Sequence, residues 1–112
     1  MNIVLLGYMG CGKTTIGKIL SKLTGKKFID LDSYIESTNN QTISDIFSSK
    51  GEIYFRKIES DSLKVIMTKY DNIVLSLGGG TPCYSNNLTI IKNSRSFFLK
   101  NSINTLSNRL IN

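Results

Sequence analysis

The segment "GYMGCGKTT", residues 7–15, places three glycines, a lysine and two threonines in the spacing G-x-x-x-x-G-K-[ST]. Glycines let the backbone curl until successive N–H groups point inward, and a following helix adds the positive end of its dipole. Lys13 can then reach the β- and γ-phosphates of a nucleotide, and the Thr14 hydroxyl is placed to bind Mg²⁺. An apolar run precedes the segment and an amphipathic helical pattern follows it, so we interpret it as a phosphate-binding loop rather than a chance glycine-rich turn.

Two carboxylates, Asp30 and Asp32, lie in "FIDLDSYIE" at the end of the second apolar run. Beside a triphosphate the two carboxylates can have different roles, since one orders the water shell of Mg²⁺ while the other orients an acceptor hydroxyl. Asp32 also stands where an N-cap for a helix beginning at "SYIE" is expected. The residues by themselves leave both interpretations open.

A glycine run and an arginine complete the set of candidate site residues. In "LSLGGGTP", Gly78, Gly79 and Gly80 either expose backbone N–H groups to a ligand or form a simple tight turn. Arg56 precedes Glu59 by three residues on a helical pattern. It therefore either forms an ordinary ion pair within the helix, or is held by Glu59 and offered as a fork to a carboxylate.

The elements that must position these residues alternate between strand and helix. Short apolar runs predict strands at residues 2–6, 26–30, 73–77 and 95–100. Helical periodicity at 15–23 and 52–70 predicts two apolar faces, formed by Ile16, Ile19, Leu20 and Leu23 in the first helix and by Ile53, Phe55, Ile58, Leu63, Ile66 and Met67 in the second. This order predicts an α/β fold with a mostly parallel sheet and right-handed crossovers.

The composition is typical of one globular domain over residues 1–112, with 40% hydrophobic and 20% charged residues. No apolar run reaches the roughly 20 residues of a membrane span, and the first residues lack a secretory leader, so we expect a cytoplasmic protein without membrane contact. Cys11 and Cys83 fit no metal-ligand spacing. A net charge of +6 suggests anionic ligands, but the lysines are scattered, which disfavours nucleic acid as a partner.

Four segments follow one another in the chain: "GYMGCGKTTIG", "FIDLDSYIE", "ISDIFSSKGEIYFRKIE" and "VLSLGGGTP". With these segments in this order, the chain resembles the shikimate kinases, which are small P-loop kinases of aromatic amino acid biosynthesis. The resemblance extends from Met1 to about Arg109. The resemblance implies a three-layer α/β/α sandwich, a substrate-binding region at about 31–60, and transfer of the ATP γ-phosphoryl group to the 3-hydroxyl of shikimate. Two alternatives are another P-loop kinase, acting on gluconate or a nucleoside monophosphate, and a non-catalytic nucleotide-binding module. "DLDSYIE", "YFRKIE" and "GGGTP" favour shikimate, and no N-K-x-D segment for guanine is present.

The resemblance also implies a role for each candidate residue. Lys13 and Asp32 would be catalytic, Asp32 would contact the acceptor hydroxyl, and Arg56 would bind the shikimate carboxylate. Mg²⁺ would be bound by Thr14 and, through water, by Asp30. The residues implied to bind ATP are Gly10, Cys11, Gly12, Lys13, Thr14, Thr15 and, by stacking on adenine, Arg109. In addition to Asp32 and Arg56, the residues implied to bind shikimate are Gly78, Gly79 and Gly80. Phe47 and Phe55 correspond to residues lining the substrate pocket, with a plain core role as the alternative, and Arg109 is alternatively a solvated charge.

One departure from the family pattern concerns the end of the sequence. The family continues into a lid carrying an arginine, a further substrate-binding arginine, a last strand and a terminal helix, and none of these follows Asn112 here. We therefore expect a sheet without its C-terminal strand and helix, with the edge of "RSFFLK" and neighbouring apolar surface uncovered. The 112-residue chain is expected to be a poor kinase, and the complete protein a monomer.

Overall fold

The computed structural model describes residues 2–7, 13–78, 87–92 and 94–99. Its elements, in chain order, are β1 (Ile3–Gly7), α1 (Lys13–Thr24), β2 (Lys27–Asp30), α2 (Leu31–Asn39), α3 (Ile43–Lys50), α4 (Glu52–Lys69), β3 (Ile73–Ser76), α5 (Asn87–Ile91) and β4 (Arg95–Leu99). All four predicted strands are present, with ends within one residue of those expected. The predicted α/β fold is confirmed.

The four strands form one parallel sheet in the order β2-β3-β1-β4. Since every strand runs in the same direction, the carboxyl ends of all four meet at one edge of the sheet, which we call the carboxyl edge. Asp30 pairs there with Ser76, and Gly7 pairs with Leu99. Ligands of open α/β sheets bind outside this edge.

Helices cover the sheet on both faces. α1 packs on the face that carries the Phe28 side chain, while α2, α3, α4 and α5 contribute to the main core on the opposite face. Four of the core residues come from β1, β3 and the residue that follows β3. The buried members of this core are Val4, Leu31, Ile35, Ile46, Phe55, Leu63, Ile66, Ile73, Leu75, Leu77 and Ile91.

The helix α1 does not use its aliphatic stripe as the sequence suggested. Ile19 is 47% exposed and Leu23 is 77% exposed, so this part of the predicted apolar face is not buried within this chain. Gly17 instead faces the sheet, where an added Cβ atom would clash with Cε1 of the Phe28 ring and lie 2.8 Å from its Cδ1. Ile19 lies two residues further, about 200° around the helix axis, and therefore points away.

The helix α4 buries most of its predicted face, with one exception. Phe55, Leu63 and Ile66 are buried, while Ile53 is 90% exposed, which contradicts its predicted core position. Ile53 precedes Phe55 by two residues and so faces the opposite side of the helix. The buried stripe instead includes Glu59, one turn after Phe55.

Asn2 fixes the far end of α4 against the sheet. Its Nδ2 donates to the Tyr70 carbonyl at 3.0 Å, and its Oδ1 accepts from the Ile73 amide at 2.9 Å. The last turn of α4 therefore lies beside the amino ends of β1 and β3. The helix is 18 residues long, about 27 Å. Because its last turn lies at the amino ends of the strands, its first turns lie at the opposite end, near the carboxyl edge.

Candidate functional site

The strand–loop–helix context of the phosphate loop is present. β1 ends at Gly7, whose φ of 149° belongs to the range that favours glycine, and α1 begins at Lys13. Thr14 and Thr15 lie exposed in the first turn of α1. Gly10, Cys11, Gly12 and the side chain of Lys13 lie outside the described part of the structure, so their phosphate contacts stay predictions.

Asp30 is the last extended residue of β2 and the N-cap of α2. Its Oδ1 accepts from the Ser33 amide at 3.1 Å, and α2 follows without a connecting loop. The sequence suggested Asp32 as this cap, which was wrong, because the helix begins two residues earlier than "SYIE" indicated. An ionised carboxylate accepts hydrogen bonds at both oxygens, so capping by Oδ1 is compatible with a second role for Asp30.

Asp32 consequently lies within the first turn of α2, where it is half-buried. A negative charge is stabilised there by the positive end of the helix dipole. The end of β2 and the first turn of α2 thus carry the two aspartates at the carboxyl edge, with Asp30 paired to Ser76 of the adjacent strand. This is the position expected of groups that act on a phosphate bound at the end of β1.

Arg56 and Glu59 form a close ion pair on α4. Arg56 Nη1 lies 3.0 Å from Glu59 Oε1, and the two side chains are 21% and 1% exposed. A second carboxylate, on Glu52, lies 3.9 Å from Arg56 Nε and is 56% exposed. The buried Glu59 carboxylate holds the guanidinium, and the Arg56 side chain as a whole keeps 21% of its surface exposed. The ion pair predicted from the three-residue spacing is therefore present, while binding of a ligand by Arg56 stays a prediction.

An aromatic pair adjoins this arginine. The Phe47 and Phe55 ring centroids are 4.7 Å apart at 33°, and Arg56 Cζ lies 5.3 Å from the Phe55 centroid. Phe55 is 3% exposed and belongs to the core, whereas Phe47 is 36% exposed. The core interpretation therefore holds for Phe55, and Phe47 presents an apolar surface beside the charged group.

The glycine run is described only at its start. The Leu77 amide donates to the Leu5 carbonyl at 3.0 Å, which continues the sheet beyond β3, and Gly78 follows half-buried. Gly79, Gly80 and Arg109 lie outside the described residues, and their roles stay predictions.

Two features of α4 were not found from the sequence. The burial of Glu59 had a signal, since an acid within the apolar stripe of a helix, three residues after an arginine, points to a buried ion pair. The other is a buried hydrogen bond between Ser60 Oγ and Asn87 Oδ1, 2.7 Å long. It had no such signal, because the two residues are 27 positions apart and polar residues of this kind are common on surfaces.

The oxygen donors at the carboxyl edge fit a hard cation. The Thr14 hydroxyl and the Asp30 carboxylate are ligands of the kind that Mg²⁺ binds, directly or through its waters. Within residues 2–7, 13–78, 87–92 and 94–99, no group of three histidine, cysteine or acidic side chains could hold a metal alone. In the same ranges, no helix is long and apolar enough to cross a membrane.

Comparison with known proteins agrees with this geometry. A curated shikimate kinase of Flavobacterium johnsoniae is 50% identical over 111 residues, covering 97% of this chain and 64% of the relative, so the chain spans about two thirds of the relative's length. A crystal structure of shikimate kinase from Bacteroides thetaiotaomicron superposes with a TM-score of 0.84 at 38% identity, over 88% of this chain and 56% of that one.

A shikimate kinase from Acinetobacter baumannii, solved in complex with shikimate, superposes with a TM-score of 0.85 at 35% identity. The match covers 96% of this chain and 60% of that protein. The sequence profile of the shikimate kinase family matches residues 9–112. The resemblance seen in four short motifs thus extends over nearly the whole chain, and the chain belongs to the shikimate kinase family.

Proposed function

We propose that the protein transfers the γ-phosphoryl group of MgATP to the 3-hydroxyl of shikimate, giving shikimate 3-phosphate and ADP. The observation that carries the proposal is the Arg56–Glu59 pair, a partly exposed arginine side chain whose guanidinium is held at 3.0 Å by a buried carboxylate beside an aromatic ring. A fixed guanidinium fork is the usual partner of a carboxylate, and shikimate carries one carboxylate on a small ring.

The nucleotide end of the reaction belongs to β1 and α1. Gly7 ends the strand and Lys13 begins the helix, so the intervening residues would wrap the β- and γ-phosphates with backbone N–H groups, which include those of Gly10, Cys11 and Gly12. Lys13 would neutralise charge on the transferring group, while Thr15 and Arg109 would contribute contacts to ATP. These contacts are proposed from the motif and the family.

Mg²⁺ would be held by the Thr14 hydroxyl and, through a water molecule, by Asp30. When bound, the ion neutralises charge on the phosphates during transfer. Asp30 is already oriented by its bond to the Ser33 amide at 3.1 Å, which fixes its carboxylate at the carboxyl edge.

The binding site for shikimate, the phosphoryl acceptor, would be formed by the region of about residues 31–60, which covers α2, α3 and the first half of α4. Asp32 would accept a hydrogen bond from the shikimate 3-hydroxyl and orient it toward the phosphorus, and it would take up the proton as the new bond forms. Arg56 would bind the carboxylate at the other end of the ring. Backbone groups of Gly78, Gly79 and Gly80 would add hydrogen bonds. Two-ended binding positions the hydroxyl, which is the main source of rate in such enzymes.

The direct test is a coupled ADP assay with shikimate, gluconate and nucleoside monophosphates as acceptors. Because the relatives are longer, we would use an extended chain, defined as residues 1–112 followed by the segment that the Flavobacterium johnsoniae relative carries after the aligned region. Lys13→Ala in the same protein measures the background. Turnover with shikimate is expected; turnover only with another acceptor would refute the assignment, and nucleotide binding without any turnover would favour a non-catalytic module.

Further expectations accompany this function. A biosynthetic kinase that consumes ATP is expected in the cytoplasm, and the complete protein is expected to be a monomer with no nucleic-acid partner. Residues 1–112 are expected to form one P-loop domain. In the same assay, the 112-residue chain should turn over far more slowly than the extended chain, since an arginine supplied to the transferring phosphoryl group is worth about 10³ to 10⁵ in rate.

A further inference from the structure

A buried polar contact joins α4 to α5 and has no part in the function proposed so far. Ser60 Oγ donates to Asn87 Oδ1 at 2.7 Å, and the two residues are 5% and 0% exposed. The helices also meet through the apolar core, to which α4 contributes Leu63 and Ile66 and α5 contributes Ile91. Apolar burial is non-directional, whereas a hydrogen bond requires a given distance and angle. This bond is therefore suited to fixing how α4 is rotated and where it stands along its axis.

The bond acts on the turn of α4 that carries the proposed substrate ligand. Ser60 follows Glu59 directly and lies one turn after Arg56. Glu59 holds Arg56 at 3.0 Å, so a rotation or shift of this turn moves the guanidinium with it. The position of Arg56 depends on the same segment of backbone that Ser60 anchors.

The partner of Ser60 is itself anchored to the sheet. Asn87 is the first residue of α5, and Ile91 at the end of α5 is buried in the main core with Val4 and Leu75. These two strand residues belong to β1 and β3, whose carboxyl ends form the edge where Asp30 lies. The Ser60–Asn87 bond thus connects the Arg56 turn to β1 and to β3, the strand that pairs with β2, where Asp30 lies.

We propose that Ser60 and Asn87 are positioning residues, which fix the Arg56 guanidinium at the distance from the carboxyl edge that shikimate requires. The inference rests on the proposed function, because it takes Arg56 as the ligand of the substrate carboxylate. A misplacement of the order of 1 Å is enough to weaken a two-ended binding site.

The first experiment measures shikimate affinity by calorimetry in the extended chain. Ser60→Ala removes the donor and is expected to raise the shikimate Kd about tenfold, with the Kd of a non-hydrolysable ATP analogue unchanged. Ser60→Thr keeps a hydroxyl and should restore most of the affinity. Ser62→Ala is the matched control, since Ser62 is also buried on α4 and lies outside this contact.

A double-mutant cycle separates positioning from general stability. If Ser60 acts through Arg56, then Ser60→Ala should change shikimate affinity little in an Arg56→Ala background. A loss of affinity of the same size in both backgrounds would overturn the proposal. Asn87→Leu, of similar size but without the acceptor, should reproduce the Ser60→Ala pattern; if it unfolds the chain, Ser60→Ala alone decides.

The second experiment is independent of substrate. In the extended chain without substrate, the Nε–Hε NMR signal of Arg56, assigned with Arg56→Lys, reports how rigidly the guanidinium is held. Ser60→Ala should lower its heteronuclear NOE, and Ser62→Ala should leave it unchanged. An unchanged Arg56 signal in Ser60→Ala would refute the positioning of Arg56 by Ser60, even if the wild type binds shikimate. A wild type that fails to bind shikimate would refute the proposed function. In that case the Arg56 signal alone would decide the role of Ser60.

Discussion

Glu59 is a charged side chain in the middle of an apolar helical stripe, and its burial gives Arg56 a fixed orientation. An ion pair with one fully buried partner is expensive to break, because the remaining charge is left without compensation. The contact with Glu52 is different, since that carboxylate is more than half exposed and lies 3.9 Å away. The two acids therefore have unequal effects on the same arginine.

This inequality predicts different stabilities for two matched variants. Glu59→Gln is expected to lower the free energy of unfolding by about 2 kcal/mol or more, whereas Glu52→Gln should change it by less than about 1 kcal/mol. Urea denaturation of both variants checks the prediction. Equal effects would mean that solvent screens both contacts alike.

Substitution of Arg56 itself should affect one substrate only. Arg56→Ala is expected to reduce shikimate affinity about thirtyfold, since a hydrogen-bonded carboxylate contact is worth about 2 kcal/mol. Affinity for an ATP analogue should stay within about twofold, because the nucleotide contacts lie on β1 and α1. Calorimetry on the extended chain measures both constants. Arg56→Lys, which keeps the charge but loses the fork, should fall between wild type and alanine.

Lys13→Ala provides the complementary result, in which phosphoryl transfer falls while shikimate affinity is retained. If Arg56→Ala bound shikimate as tightly as the wild type, Arg56 would be an ordinary ion-pair residue of the helix.

Among the elements, α1 shows how one small residue decides which side of a helix faces a sheet. Gly17 is buried against the Phe28 ring, and the aliphatic side chains at 19 and 23 point outward as a result. Close approach at Gly17 also brings the start of α1, with Thr14 and Thr15, near the sheet. The packing of α1 against the sheet at Gly17 thus contributes to the geometry of the phosphate loop.

Gly17→Ala should therefore lower stability although alanine favours helix. Overpacking costs about 1–3 kcal/mol, while alanine gains about 1 kcal/mol over glycine in a helix, so a net loss of about 1 kcal/mol is expected. Phe28→Leu introduced together with Gly17→Ala should recover part of the loss, and Phe28→Leu alone is the control. A rise in the thermal midpoint of Gly17→Ala would show that the ring moves aside without cost.

At the level of the whole molecule, the notable feature is the edge strand β4. Within the described residues, β4 pairs with β1 and has no strand on its other side. Phe97 on this strand is 45% exposed. An edge strand that carries an exposed apolar side chain is a site for pairing with another chain.

The 112-residue chain is accordingly expected to self-associate, with a light-scattering mass that rises with concentration. Phe97→Lys should reduce this association, because a lysine on an edge strand opposes strand pairing. Ile53→Lys is the control, since Ile53 is 90% exposed on α4 and away from β4. A monodisperse monomer at all concentrations would contradict the prediction.

The sequence alone determined the α/β order, the phosphate loop with its flanking strand and helix, and the Arg56–Glu59 pair. Each depends on residues close together in the chain, where spacing and periodicity report directly on local structure. The four strands were placed correctly for the same reason, since short apolar runs mark buried parallel strands.

Only the tertiary structure decided which of several possible faces each helix buries, and which aspartate caps α2. Periodicity placed Ile19, Leu23 and Ile53 on apolar helix faces, but these side chains are exposed, and the buried faces are those of Gly17 in α1 and Glu59 in α4. The Ser60–Asn87 bond was likewise invisible, because it joins residues far apart in sequence. Such contacts follow from how the elements pack together, and no local pattern of residue types records that packing.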